Sequence, residues 1–311
     1  MSKCKYTSIG GQALIEGIMM KGKKKTAMAV RSKNGEILLE PVSFTSIKEK
    51  YKILGAPVIR GVVNFVESMV QGYSAMMKSA DLSGFAEDED EKESLSGGAM
   101  GVIGVIAFVL AMVLAVALFM YLPALLFDGL NFLTGGTLTP FKSLFEGLLK
   151  LAVFVAYVAG ISAMKDIKRV FAYHGAEHKT IFCFEKGLPL TIENVRAQKR
   201  LHPRCGTSFM ILIFIVSIII STLIQTFFPN LILNRFVWVA VKILIIPLVC
   251  GLGYELIKIC GKHDNLFTKI VAFPGLQLQR LTTKEPDDGM IEIAIAALNA
   301  VLEDEDREQL N

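Results

Sequence analysis

Four long apolar runs constrain this chain more than any other feature. Ala99 to Phe127 and Ser208 to Phe228 carry no charge, and Phe236 to Ile257 carries only Lys242 and Glu255. Leu148 to Met164 is shorter and gains length if Phe145 and its neighbours join it. About 20 apolar residues cross a bilayer as a helix, so the runs predict four membrane spans. Composition agrees: 52% of the residues are hydrophobic, 20% are charged and the mean hydropathy is +0.49, too apolar for an ordinary soluble domain.

The connecting segments set an orientation. Between the second and third runs lie Lys165, Lys168, Arg169, Lys179, Lys186, Arg196, Lys199, Arg200 and Arg204, whereas the other two connections hold only Lys142 and Arg235. The positive-inside rule then places the central loop and both termini in the cytoplasm. The net charge of +4 comes without a dense basic tract, so no nucleic-acid partner is expected; membrane lipid is. Five cysteines form no CxxC pair, which fits reduced thiols better than a disulfide framework. The N-terminal "MSKCKYTSIGGQ" lacks the apolar core of a cleavable signal peptide.

The polar parts divide around those spans. "TAMAVRSKNGEILLEPV" predicts a β-hairpin turning at Asn34-Gly35. Pro57 opens a predicted amphipathic helix, with Val58, Val62, Phe65, Val66, Met69, Tyr73, Met76, Met77 and Ala80 on a stripe expected to pack on the bundle. The acidic Glu87 to Glu93 reads as a solvated linker. Near the C-terminus, Thr282 and Glu285 fit a capping box, Pro286 suits a first turn, and Asp287 and Asp288 complement a helix dipole. Capping accounts for those two aspartates more simply than a second metal site would.

The chemistry concentrates in "FAYHGAEHKTI". His174 and His178 are one turn apart, so a helix puts both imidazoles on one face, and Glu177 sits on nearly the same face. This H-x-x-E-H order reverses the H-E-x-x-H signature of zinc hydrolases, with Glu177 in the role of general base. A zinc ion held this way lowers the pKa of a bound water from about 16 to about 7. Two ligands are too few; "RLHPRCGTSF" offers His202 and Cys205 on the same membrane side. Either completes an open site. All four together, His174, His178, His202 and Cys205, would form a closed structural zinc site. A third reading has the histidines bonding backbone carbonyls or lipid phosphates. Glu255, near one end of the fourth run, is a candidate because ionisable groups at the edge of a span are costly. Spacing alone makes Glu16, in "GGQALIEGIMMKG", a solvent-facing strand residue.

"GGQALIEGIMMKG", "YHGAEHKTI", "HPRCGTSF", "LGYELIK" and "PGLQLQRLTTKEPDD", in this order, resemble the YqhQ-like bacterial membrane proteins, the domain-of-unknown-function family 1385. The resemblance runs from about Ile9 to Leu302. It implies a metal-dependent enzyme of the bacterial membrane and singles out Glu16, His174, Glu177, His178, His202, Cys205 and Glu255, together with the segment Glu285 to Asp288. Glu16 thereby becomes, with Glu255, a candidate supporting contact or additional ligand.

The expectation is a mainly α membrane protein of the bacterial inner membrane, multi-pass, with a small α+β cytoplasmic part. Its pieces are an N-terminal hairpin and amphipathic helix (1–86), an acidic linker (87–98) and a first transmembrane pair (99–164). A basic loop bearing both motifs (165–205), a second transmembrane pair (206–260) and a C-terminal helical segment (261–311) follow. The expected function is hydrolysis of a lipid-linked or membrane-adjacent substrate, with a divalent metal, zinc by its His/Cys ligation. The alternative is a non-enzymatic scaffold or transporter with a structural metal, for which Lys242 and Glu255 could matter.

Overall fold

The computed structural model describes Thr7, residues 9–85, Ile106, and residues 109–232, 235–262 and 265–303. The acidic linker, His263 and the charged tail lie outside these. Among the described residues, four helices are long and apolar enough to cross a membrane: Val109–Leu133, Thr139–Ile161, Gly206–Phe227 and Val237–Cys260. With the N-terminal sheet they give the mainly α membrane fold that the apolar runs require.

The expected hairpin is part of a four-stranded antiparallel meander: β1 (Gly10–Leu14), β2 (Gly17–Lys21), β3 (Thr26–Arg31) and β4 (Ile37–Pro41), in that spatial order. The β3–β4 turn uses Gly35 at φ 83°, the left-handed position that Asn-Gly pairs favour. Sequence alternation hid β2 because both of its faces are covered. Ile18 and Met20 join Ala27 and Ala29 in one core, while Met19 joins Leu14, Met28 and Val30 in another. A strand buried on both sides reads as a continuous apolar run.

Helix α1 (Ile59–Ser83) covers the second face and ends in a left-handed Gly84 cap. Its packing meets the expectation in part: Ala80 is buried, Met76 packs on the second core and the Phe65 ring lies 5.9 Å from that of Phe209. Small and polar residues face inward, among them Gly61, Gly72, Ala75, Ser79 and Ser83, while Val66, Met69, Tyr73 and Met77 stay exposed. Gly61 meets Tyr254 and Gly251, and Gly72 meets Gln12, at distances a Cβ would not allow. Close approach of backbones thus selected the small face over the greasy one.

The spans differ in regularity. In α2 (Val109–Leu133) a π-turn at Ala117–Tyr121 precedes Pro123, whose missing N–H leaves a carbonyl of that turn without its usual donor. Helix α3 (Lys142–Ile161) is followed after a short break by α4 (Lys165–Glu185), and α5 (Gly206–Phe227) is continuous. The fourth span is two helices, α6 (Arg235–Leu244) and α7 (Ile246–Lys262), broken just before Pro247. Helix α8 (Leu266–Thr282) packs against α5: Leu278 joins Phe154, Val158 and Ile211 in a core, and Gly275 sits on Ser208. Its opposite side leaves Leu266, Phe267, Ile270 and Phe273 exposed as an apolar stripe.

Helix α9 (Asp288–Val301) lies on the first face of the sheet, where Met290, Ile293, Ala297 and Leu298 meet Ile18 and Met20. Its start corrects the capping box expected at Thr282. The cap is Asp287, whose side chain accepts from the Met290 N–H at 2.9 Å. Thr282 instead ends α8, and the chain between them runs extended over α4.

Candidate metal centre

Helix α4 supplies three of the candidate groups, and its surroundings fix their orientation. Gly175 lets the segment after α8 lie directly on the helix: a Cβ there would overlap the Lys284 carbonyl oxygen, and Lys284 N–H donates to Phe171 O at 2.7 Å. That contact brings the Thr282 carbonyl to His174, which accepts from Nδ1 at 2.8 Å. On the next turn the Arg200 carbonyl accepts from His178 Nδ1. A carbonyl only accepts, so each Nδ1 carries a proton and each Nε2 is the nitrogen left to face the far side of the site.

Cys205 meets them from the other side. It caps the N-terminus of α5, with its Sγ 3.1 Å from His174 Nε2 and near the Thr207 N–H and hydroxyl. One ligand atom from each of His174, His178 and Cys205 lies within 4.8 Å of the other two. His178 Nε2 is buried and has no hydrogen-bond partner among the described residues, and the same holds for one carboxylate oxygen of Glu177. An orphaned imidazole nitrogen beside a thiol and a second imidazole fits a divalent cation. The donor set is that of zinc and leaves one tetrahedral position open.

Without an ion, the charges arrange themselves. Burial pushes the His174 imidazole down, but the Cys205 thiolate, its hydrogen bond and Glu177 outweigh this and hold it at about 9. Burial opposes ionisation of Cys205, yet the two imidazoles bring its pKa well below the ordinary thiol value, and the N-terminus of α5 favours the thiolate too. Glu177 is buried and its pKa is raised by that burial, against the pull of both histidines and of a Gly11 backbone N–H. Strand β1 reaches it only because Gly11 has no side chain: a Cβ would come within 2.9 Å of the Glu177 Cδ.

His202 is placed differently. Its ring packs on Phe182, 4.6 Å between centroids, and on His178 at 5.5 Å, with Nε2 turned toward Glu185 at 3.8 Å. Burial lowers its pKa, against the raising effect of Glu185. The loop that carries it is clamped by Gln279, which accepts from His202 N–H and donates to His202 O, both at 2.7 Å. Glu185 ties the same loop down through Arg204, whose guanidinium also donates to Thr7 O at 2.7 Å. Burial raises the Glu185 carboxyl, but the bonds from His202 and Arg204 prevail and hold it at about 2. Sequence reasoning missed Glu185 and Gln279. Glu185 follows His178 by two helical turns on the same face, which is the trace it leaves in the sequence.

The other two candidates are not gathered here. Glu16 sits in the β1–β2 turn at φ 51° and pairs with Arg169, accepting also from Tyr173 Oη at 3.1 Å. Glu255 pairs with Arg60 of α1 at 2.7 Å. Each carboxylate already has a cation partner. At the C-terminal segment, Asp288 pairs with Arg196, and Glu285 with Lys179 at 2.7 Å.

The family model described as "Protein of unknown function (DUF1385)" matches residues 56–304. The chain belongs to the DUF1385 family. A relative, "Uncharacterized protein YqhQ" of Bacillus subtilis (strain 168), is 33% identical over 320 residues, covering 97% of this chain and 95% of that protein. No solved structure matches the chain. The match takes in α4, the loop before α5 and the segment after α8, so His174, Glu177, His178, His202 and Cys205 fall within it, while Gly11 lies before it.

Proposed function

We propose that this membrane protein is a metal-dependent hydrolase working at the inner membrane face on a lipid-linked or membrane-adjacent substrate. The observation that carries the reading is the convergence of His174 Nε2, His178 Nε2 and Cys205 Sγ, each imidazole locked by a backbone carbonyl on its far nitrogen. His174, His178 and Cys205 would hold the ion, zinc by donor type. Such an ion supplies Lewis acidity and an acidified water. Glu177, raised by burial and facing the histidines, takes a proton from the attacking water and returns it to the leaving group. Gly11 N–H orients that carboxylate, and the Thr282 and Arg200 carbonyls hold a proton on each Nδ1 and keep each Nε2 aimed. The site lies on helices that begin where spans two and three meet the polar layer, which favours substrates found at the membrane surface.

Elemental analysis of the purified protein tests the first half. One divalent ion per chain is expected, lost in the His174→Ala, His178→Ala double variant; an unchanged metal content in that variant defeats the proposal. Glu177→Gln tests the second half: metal stays and cellular function goes.

One observation favours a second reading. His178, Glu177 and Cys205 are all buried, as suits a structural metal that staples α4 to the start of α5. Under that reading Glu177→Gln leaves function intact.

A further inference from the structure

Two features of the spans stand apart from the candidate metal centre. At the far end, Glu146 of α3 accepts from Lys242 of α6 at 2.9 Å and lies 3.7 Å from Lys142, one turn back on its own helix. This lysine cluster contains its own counter-charge. The other feature is a groove between α5 and α7, with a volume of 460 Å³. Val216, Ile220 and Leu223 of α5 form one wall, and Leu252, Leu256 and Ile259 of α7 form the other. Both sets recur at intervals of four and three residues, so each is a single stripe along its helix. Leu223, Leu252 and Ile259 are exposed, so the groove is open to the surroundings of the spans and not sealed.

One ionisable residue, Glu255 of α7, belongs to the wall. Both of its carboxylate oxygens are taken from α1: Arg60 donates to Oε1 from Nε at 2.7 Å and to Oε2 from Nη2 at 2.5 Å, and the Val58 N–H donates as well. The surface facing the groove is therefore apolar throughout. Both walls are parts of helices long and apolar enough to cross a membrane, so hydrocarbon surrounds the opening. A groove left empty there forfeits the dispersion contacts of its lining. Size decides what fills it. Spread over the roughly 10 Å that seven helical residues rise, the volume leaves a cross-section of about 45 Å². A helix with its side chains is 10 Å or more across and needs about 80 Å². A helix can only rest across the mouth, whereas a hydrocarbon chain lies inside.

We infer that the groove between α5 and α7 is a binding site for one hydrocarbon chain of a membrane lipid, kept apolar by Arg60, which draws the Glu255 carboxylate to α1. The pair is matched within the protein, so the groove selects a chain and not a charged headgroup. Glu255 thereby has a part that the candidate metal centre does not give it. The inference does not rest on the metal, and its readout is binding.

The test uses the full-length protein in detergent micelles and a phosphatidylcholine that carries a photoactivatable diazirine in one acyl chain. Cross-linked peptides are located by mass spectrometry. Saturable labelling of residues 216–223 and 252–259 is expected, displaced by unlabelled phosphatidylcholine and untouched by glycerophosphocholine, which has the headgroup without chains. Ile220→Trp fills the groove and should lower that labelling at least tenfold, while Leu126→Trp, on the exposed face of α2, leaves it unchanged. Should Ile220→Trp fail to fold, as judged by helical circular dichroism, Leu223→Trp at the exposed rim replaces it. Arg60→Gln releases the Glu255 carboxylate and should weaken labelling as well; unchanged labelling there overturns the part given to Arg60. Labelling that does not saturate, that misses both stripes, or that persists in the groove-filling variants overturns the inference. So does a dimer that Ile220→Trp dissociates while no lipid is captured, because a second copy then covers the groove.

Discussion

The two polar clusters at opposite ends of the spans are built on different physics. At the candidate metal centre every group is pinned by backbone: Thr282 and Arg200 carbonyls hold the histidines, a helix N-terminus holds Cys205, and Gly11 holds Glu177. At the lysine cluster the groups sit on long flexible stems and only Glu146 relates them. Fixed directions suit a small ion that demands geometry, whereas flexible stems let two ammonium groups settle on one carboxylate. The difference lies in the number of elements that meet. Groups from α4, the start of α5, the segment after α8 and strand β1 meet around His174 and Glu177, whereas Glu146 is paired only by side chains of α3 and α6 among the described residues.

The largest effect that can break this contrast comes from Gly175→Ala. The added methyl overlaps the Lys284 carbonyl, so the segment after α8 must move and the Thr282 contact with His174 is lost. A loss of stability above about 3 kcal/mol, seen as a fall in Tm, and loss of bound metal are expected. Retained metal would show that the backbone clamp is dispensable.

Glu185→Gln comes next. It leaves Arg204 without its buried counter-charge and should cost about 3 kcal/mol. The same group sets an acid limit. Its folded pKa of about 2 is below the ordinary value of 4.5, so its contribution is complete above that value and fades as pH falls toward 2. Thermal melts between those limits should therefore show a steeper decline in the wild type than in Glu185→Gln, and parallel declines would remove Glu185 from this role.

Gly11→Ala sharpens the comparison more gently. The methyl presses on Glu177, Met19 O and the Met20 sulfur, and the expectation is a loss of about 1–3 kcal/mol with metal still bound but Glu177 misplaced. Metal content and melting together check it. Smallest of all is Lys78→Ala, which removes an exposed pair with Glu40 and should change stability by under about 0.5 kcal/mol. A larger change in urea titration would show that surface charge matters in this sheet.

Much of this arrangement was legible from residue order. The apolar runs gave the spans, Asn34-Gly35 gave one turn, and the four-residue spacing of His174 and His178 gave a shared helical face. Between His202 and Cys205 spacing was silent, because both precede the same span. The fold separates them: Cys205 at the helix cap faces His174, while Gln279 and Phe182 turn His202 toward Glu185. Glu16 and Glu255 look equally available in the sequence, and the structure pairs them with Arg169 and Arg60. The amphipathic stripe of α1 misled for a related reason, since periodicity shows which residues share a face but not which face finds a neighbour.

The sequence by itself determined that four helices must leave water and that two imidazoles must share a helix face, because both follow from local spacing and the cost of exposing apolar surface. Only the tertiary structure decided which thiol or imidazole joins them, which carbonyls fix their tautomers and which glycines let a strand and a loop lie against α4. Those contacts join residues distant in the chain, and local spacing carries no information about them.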